Sequence, residues 1–109
     1  MKIYIYVDDI RDDDTYYNRN FYPEWHPIIC RDYNQTVQAL TQHLVDEIFI
    51  DLDHDLGFDD DNYEYSGYDI CKFIIQHQIS LVGFHIHSMN PVGVQNMRQL
   101  LIHYGYKEY

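Results

Sequence analysis

The chain has 109 residues, 46% of them hydrophobic, and 18 Asp and Glu against 7 Lys and Arg give a net charge of −11. This length and apolar content suit one globular domain spanning 1–109 and exclude a disordered chain. The acidic balance argues against a basic groove for long duplex DNA, and no apolar run approaches the roughly 20 residues of a membrane span.

The opening stretch, "KIYIYV" (2–7), alternates β-branched and aromatic residues and reads as a strand ending at Asp8-Asp9. It has no long apolar stretch or small-residue cleavage site, so no leader is expected and a cytoplasmic location is. Residues 10–27 are polar and aromatic and are broken by Pro23 and Pro27, which predicts a long loop. "PIIC" (27–30) is a short second strand. In "NQTVQALTQHL" (34–44), Val37, Leu40 and Leu44 share a helical face. "EIFIDLD" (47–53) is a third strand, apolar enough to be buried on both faces.

"FDDDNYEY" (58–65) reads as a solvated loop, and so does Asp12-Asp13-Asp14. Ser66 then starts a helix with Asp69 at capping-box spacing, and Ile70, Phe73 and Ile74 form its inner face with His77 on the margin. "SLVGFHIH" (80–87) is a fourth strand. Asn90 caps a last helix with Pro91 at its first position, Val94, Met97 and Leu101 as its stripe, and Gly105 at its end. Cys30 and Cys71 have no metal-type spacing and read as buried, reduced thiols.

Strands that alternate with helices predict an α/β fold with a parallel sheet covered on both faces, and right-handed crossovers bring the strands' carboxyl ends to one edge. Ligands of such sheets bind there. Three segments deliver chemistry to that edge: "VDDIR" after strand one, "DLDHDLG" after strand three and "HIHSMNP" after strand four. Grouped carboxylates repel one another, and a hard divalent cation, Mg²⁺ or Mn²⁺, relieves the repulsion. Asp8, Asp9 and Asp53 are the leading ligand candidates, and Asp55 either joins them or orients a histidine. Side-chain alternation puts Asp51, Asp53 and Asp55 on one face with His54 opposite, and gives His85 and His87 a shared parity. Asp51 can equally be a structural buried acid, and His85 a hydrogen-bonded core histidine. His26, His43, His77 and His103 read as surface or helix-edge residues.

The helix start at Asn90, with Gly93 in its first turn, directs N–H groups and a positive dipole end at the rim, which suits phosphate. Ser88 and Arg11 are further candidates to hold phosphoryl oxygens. His54 and His87 are candidates for general acid–base work near neutral pH.

This layout resembles the receiver domain of two-component response regulators, with an acidic pair after strand one, an acid (Asp53) ending strand three, and Ser88 after strand four. It lacks the Lys-Pro that receivers carry after a fifth strand, and its late lysine, Lys107, follows no apolar strand. A closer resemblance is to the receiver-like family proposed to process cyclic phosphates, carried by "VDDIR", Trp25, "LDHDLG", "GYDI" and "HSMNPVGVQNM". The resemblance implies a receiver/flavodoxin-like three-layer sandwich. Its parallel sheet has four main strands in the order 2-1-3-4, the first helix is replaced by a loop, and the fifth strand is missing or vestigial.

The resemblance also implies a metal-dependent phosphoesterase acting on cyclic phosphates, either 2′,3′-cyclic RNA ends or cyclic nucleotide signals, in RNA repair or phage–host conflict. In that reading Asp53, His54, His87 and Ser88 are catalytic, with Asp53 as metal ligand or nucleophile. Asp8, Asp9, Asp53 and Asp55 hold the metal, and Arg11, Ser88, Asn90 and Gly93 bind phosphate. The expected partner is a nucleotide or an RNA-end cyclic phosphate, with no membrane, and a homodimer is left open. The alternatives are a non-enzymatic phosphoreceiver and an acidic interaction protein that mimics DNA.

Overall fold

The alternation of "KIYIYV" decides the layering. In a computed structural model that describes residues 1–10, 24–58 and 61–109, β1 (Lys2–Val7) sits between two parallel neighbours, β2 (His26–Cys30) and β3 (Glu47–Leu52). Ile3, Ile5 and Val7 turn to one face, Tyr4 and Tyr6 to the other. The same parity runs across β3, where Ile48, Ile50 and Leu52 join the first face and Phe49 the second. Beyond β3 lies β6 (Gly83–Ile86), so the sheet order is β2-β1-β3-β6, all parallel. This is the predicted receiver-like order.

Three helices pack in one contiguous layer on the Ile/Val face: α1 (Tyr33–Gln42), α2 (Gly67–Gln76) and α3 (Pro91–His103). Each begins at the carboxyl edge of the sheet with a capping residue that the sequence supplies. Asp32 accepts from Gln35 N at 2.8 Å, the Asp69 carboxylate accepts from Ser66 N at 2.8 Å, and Asn90 accepts from Gly93 N at 3.0 Å. Among the described residues the opposite face carries aromatic rings in place of a helical layer. Tyr4 stacks on Phe49, and Trp25 and Tyr109 meet Phe49 edge-on.

The sheet's far edge holds a remnant of a fifth strand. Phe84 N donates to Lys107 O, Tyr109 N donates to Phe84 O, and Phe84 forms an isolated parallel bridge with Glu108. The predicted replacement of the first helix by a loop concerns residues that lie mostly outside those described.

Several boundaries differ from expectation. The first helix ends at Gln42, where His43 closes it and bonds Asp46 at 2.8 Å, so Leu44 falls past the helix and is 59% exposed. Thr36, Ala39 and Leu40 form the buried face instead. The fourth strand of the sheet covers 83–86 within the expected 80–87.

The stretch 58–65 is not simply a loop. β4 (Asp55–Phe58) and β5 (Glu64–Ser66) pair antiparallel, with Tyr65 stacked on Tyr33 at 4.1 Å. Cross-strand pairing and ring stacking order the two flanks of the acidic run, at 55–58 and 64–66. Cys30 and Cys71 are buried, which pushes their thiols up to about 11 and about 12 and keeps them protonated. No helix among the described residues is long and apolar enough to cross a membrane.

The two leucines separate the expected helix face from the observed one. Leu40→Ala is expected to cost about 2–5 kcal/mol in urea denaturation. Leu44→Ala should stay within about 0.5 kcal/mol of the parent. Equal losses at both sites would contradict the helix end at Gln42.

Candidate metal and phosphate site

The parallel ladder runs one residue past each strand and thereby aligns three side chains. Asp8 N donates to Cys30 O, Asp53 N to Val7 O, and His87 N to Leu52 O, at 3.1, 3.0 and 2.9 Å. Asp8, Asp53 and His87 therefore stand side by side at the carboxyl edge and share the parity of Tyr4 and Tyr6. One ligand atom from each lies within 4.8 Å of the others.

Asp51 and two tyrosines hold this group. The Tyr4 hydroxyl donates to Asp51 Oδ2 at 2.5 Å, and His87 Nδ1 meets Asp51 Oδ1 at 2.5 Å. His87 Nε2 meets Asp8 Oδ2 at 3.0 Å, and Tyr6 stacks on the imidazole at 4.8 Å between centroids. Asp8 is further fixed by Ile10 N, which donates to its Oδ1 at 2.9 Å. An ionised carboxylate only accepts, so the contacts to Asp51 and Asp8 favour the protonated imidazole.

Burial opposes that positive charge. The hydrogen bond and charge of Asp51, the bond to Asp8 and the charge of Asp53 outweigh it, so the His87 pKa lies above the ordinary 6.5. Asp53 is half-buried. Its carboxyl is pushed above the usual carboxylate range, first by burial and then by the charge of Asp8, against the pull of His87.

The donor set fits a divalent cation. Two carboxylates and one imidazole suit Mg²⁺ or Mn²⁺ better than a soft metal. His87 already has the carboxylate partner on its second nitrogen that metal-binding histidines use for orientation. Asp9 and Asp55 do not belong to the group. The Asp9 carboxylate lies beside Gly57, and Asp55 is exposed and bonds His54 Nδ1 at 2.8 Å.

A second set forms where the chain leaves β3 toward the helices. The predicted parity holds through Asp53 and ends there, because residue 55 already belongs to the β4–β5 hairpin. His54 N donates to Asp53 Oδ1 at 2.8 Å, and Gly67 N donates to His54 O at 2.7 Å. The His54 ring lies against the bare Cα of Gly93, where a Cβ would come within 2.4 Å of it. Asn90 Nδ2 is 3.4 Å from His54 Nδ1.

A Cβ at Gly67 would sit 2.1 Å from Asp53 O, so α2 begins at backbone distance from the acidic group. Ser88 bonds the Asp53 carboxylate and accepts from Asn90 N at 3.1 Å. The Gly93 amide is taken by the Asn90 cap. Arg11 lies outside the described residues. His85 Nδ1 bonds Tyr109 O at 2.9 Å, so the expected hydrogen bond is present, but the residue is only partly buried and does not belong to the core.

Tyr4 and Tyr6 do not stand out as site residues in the sequence, and Asp51 reads there equally as a structural buried acid and as one of the edge acids. Their signal was parity, since tyrosines at alternate positions of strand one share a face with the acids at alternate positions of strand three.

The fold and site together define a receiver-like α/β domain with an acidic, metal-competent edge. A family model for the cyclic-phosphate processing receiver domain matches residues 3–103, and the chain belongs to that family. No curated protein and no solved structure gives a significant match.

The clamped imidazole makes stability depend on pH. His87 binds its proton more tightly in the folded state, so its contribution is complete below about 6.5 and is lost as pH rises through its elevated pKa. Asp53 acts with the same sign from 3.8 upward, because its folded pKa is also raised. In chelator, the melting midpoint should fall as pH increases above neutrality, and His87→Gln should flatten that part of the curve. A midpoint that rises with pH, or an unchanged slope in the variant, would contradict the clamp.

Proposed function

We propose that the domain is a divalent-metal-dependent phosphoesterase that opens a cyclic phosphate by hydrolysis. The observation that carries this reading is the meeting of two carboxylates with an acid-oriented imidazole at the sheet edge, beside a second acid-bound imidazole. Asp8, Asp53 and His87 would hold the cation, His87 giving up its Nε2 proton to do so while Nδ1 stays on Asp51. When bound, the cation offsets phosphoryl charge and makes water more acidic.

Water adds to phosphorus, one ribose P–O bond breaks, and the departing oxygen leaves as a hydroxyl on a phosphate monoester. Asp55 steadies His54 through Nδ1 and leaves Nε2 to carry the proton between water and departing oxygen. With Asp53 engaged by the cation, the Ser88 hydroxyl would turn to a non-bridging oxygen, and the Val92 amide at the start of α3 would meet another. Asp51, with Tyr4 behind it, keeps the Nε2 of His87 aimed at the acids.

The phosphoreceiver alternative is weaker. Lys107 lies level with the middle of β6, with its ammonium 5.0 Å from the Tyr109 ring centroid. His87 is three residues beyond Phe84, roughly 10 Å along a strand, so Lys107 is far below the rim where a receiver lysine would act. A DNA mimic would use acids on the surface and has no need of the buried Asp8–His87–Asp51 chain.

The test is turnover of 2′,3′-cyclic and 3′,5′-cyclic nucleotides with Mn²⁺ or Mg²⁺. Activity should vanish in chelator and fall about 10²–10⁴-fold in His54→Ala, the span typical of a lost general acid–base group. Gly93→Ala, which drives a methyl into the His54 ring, should lower kcat while metal affinity stays near the parent's. Absence of turnover on every cyclic phosphate, with folded and metal-loaded protein, would sink the proposal.

A further inference from the structure

We infer that the substrate is a small free nucleotide, not the end of an RNA chain, and that an apolar collar around the site receives its base. The inference rests on the phosphoesterase reading and deepens it. Four large apolar side chains project from the segments that carry the site. Ile10 is 80% exposed, Phe58 65%, Met89 84% and Val92 71%.

Each is tied to the site by its neighbours. Ile10 N donates to the Asp8 carboxylate, Phe58 follows the Gly57 that faces Asp9, Met89 follows Ser88, and Val92 precedes the Gly93 that bears the His54 ring. Exposed apolar side chains on the very segments that deliver the polar groups offer a surface to an apolar partner. An aromatic ring and a thioether, both polarisable, suit the face of a heterocycle.

The charges decide how large the ligand is. Binding a nucleic-acid strand draws on Lys and Arg that track its phosphates. The described cations are engaged elsewhere: Lys2 with Glu24, Lys72 with Asp69, Arg98 with Glu108, and Lys107 over Tyr109. Arg31 does reach the rim, where its Nη1 donates to Asp8 O at 3.2 Å. In the sequence, the two remaining arginines, Arg11 and Arg19, fall in a stretch with Asp12, Asp13 and Asp14. A chain of net charge −11 with this distribution tolerates one phosphate neutralised by a cation and repels each phosphate added beyond it.

The experiment compares adenosine 2′,3′-cyclic phosphate with a hexaribonucleotide ending in the same group and with base-free glycerol cyclic phosphate, all with Mn²⁺. At about 50 mM salt the mononucleotide should exceed the hexamer about tenfold or more in kcat/KM, and the gap should narrow at about 300 mM as screening grows. Phe58→Ser combined with Met89→Ser should raise KM for the mononucleotide about fivefold or more while leaving the base-free substrate within about twofold.

A hexamer turned over as well as the mononucleotide, or a double variant with unchanged KM, overturns the inference while the phosphoesterase reading stands. If no cyclic phosphate is cleaved, that reading fails. Equilibrium binding of adenosine 2′-monophosphate against a 3′-phosphorylated hexamer then decides the inference by the same criteria.

Discussion

One imidazole held between two buried acids organises the carboxyl edge of this domain. His87 reaches Asp51 with one nitrogen and Asp8 with the other, and lies flat on Tyr6. Buried carboxylates are costly unless their charge is answered and their lone pairs are filled. Here the answer is shared: Asp51 also takes the Tyr4 hydroxyl, and Asp8 also takes the Ile10 amide. Without the imidazole, two acids from neighbouring strands would face each other in a water-poor layer. The strand order, with β1 and β3 adjacent and β6 next to β3, is what lets Asp8, Asp51 and His87 meet.

The two faces of the sheet have different tasks. One is an aliphatic core shared with three helices, and its residues are Ile, Leu, Val and Phe without exception along β1, β3 and β6. The other carries rings and charges, and the metal-competent group belongs to it. His54 is turned to the helical side and contacts α3 at Gly93. The edge therefore presents an acidic group above the aromatic face and a second imidazole above the helices, with the backbone of residues 53 and 54 between them.

Much of this was legible in the sequence. Strand alternation, the caps at Ser66 and Asn90, and the β–α order were enough for a parallel sheet and for gathering Asp8, Asp53, His54, His87 and Ser88 at one edge, while the strand order came with the receiver-like resemblance. What escaped depended on contacts between distant segments. Asp51 reads equally as a structural acid until His87, 36 residues later, is seen beside it. The β4–β5 hairpin escaped because an acidic run masks Tyr65, whose ring finds Tyr33. Leu44 continued a helical stripe on paper, but the His43–Asp46 turn ends the helix first. Asp9 and Asp55 have the right residue type and neighbourhood, and parity followed by a turn carries them away from the acidic group.

The bare Cα atoms at Gly67 and Gly93 have a consequence for how such a domain can diversify. At both positions a methyl group would collide, with the backbone of Asp53 in one case and the His54 ring in the other. Two helices are thus fitted to the acidic edge with no slack, and substitutions there cannot reshape it gradually. The exposed side chains at 10, 58, 89 and 92 are under no such constraint, since little of the fold leans on them. They can be exchanged with little cost to the fold, so the acidic edge can stay as it is while the side chains around it vary.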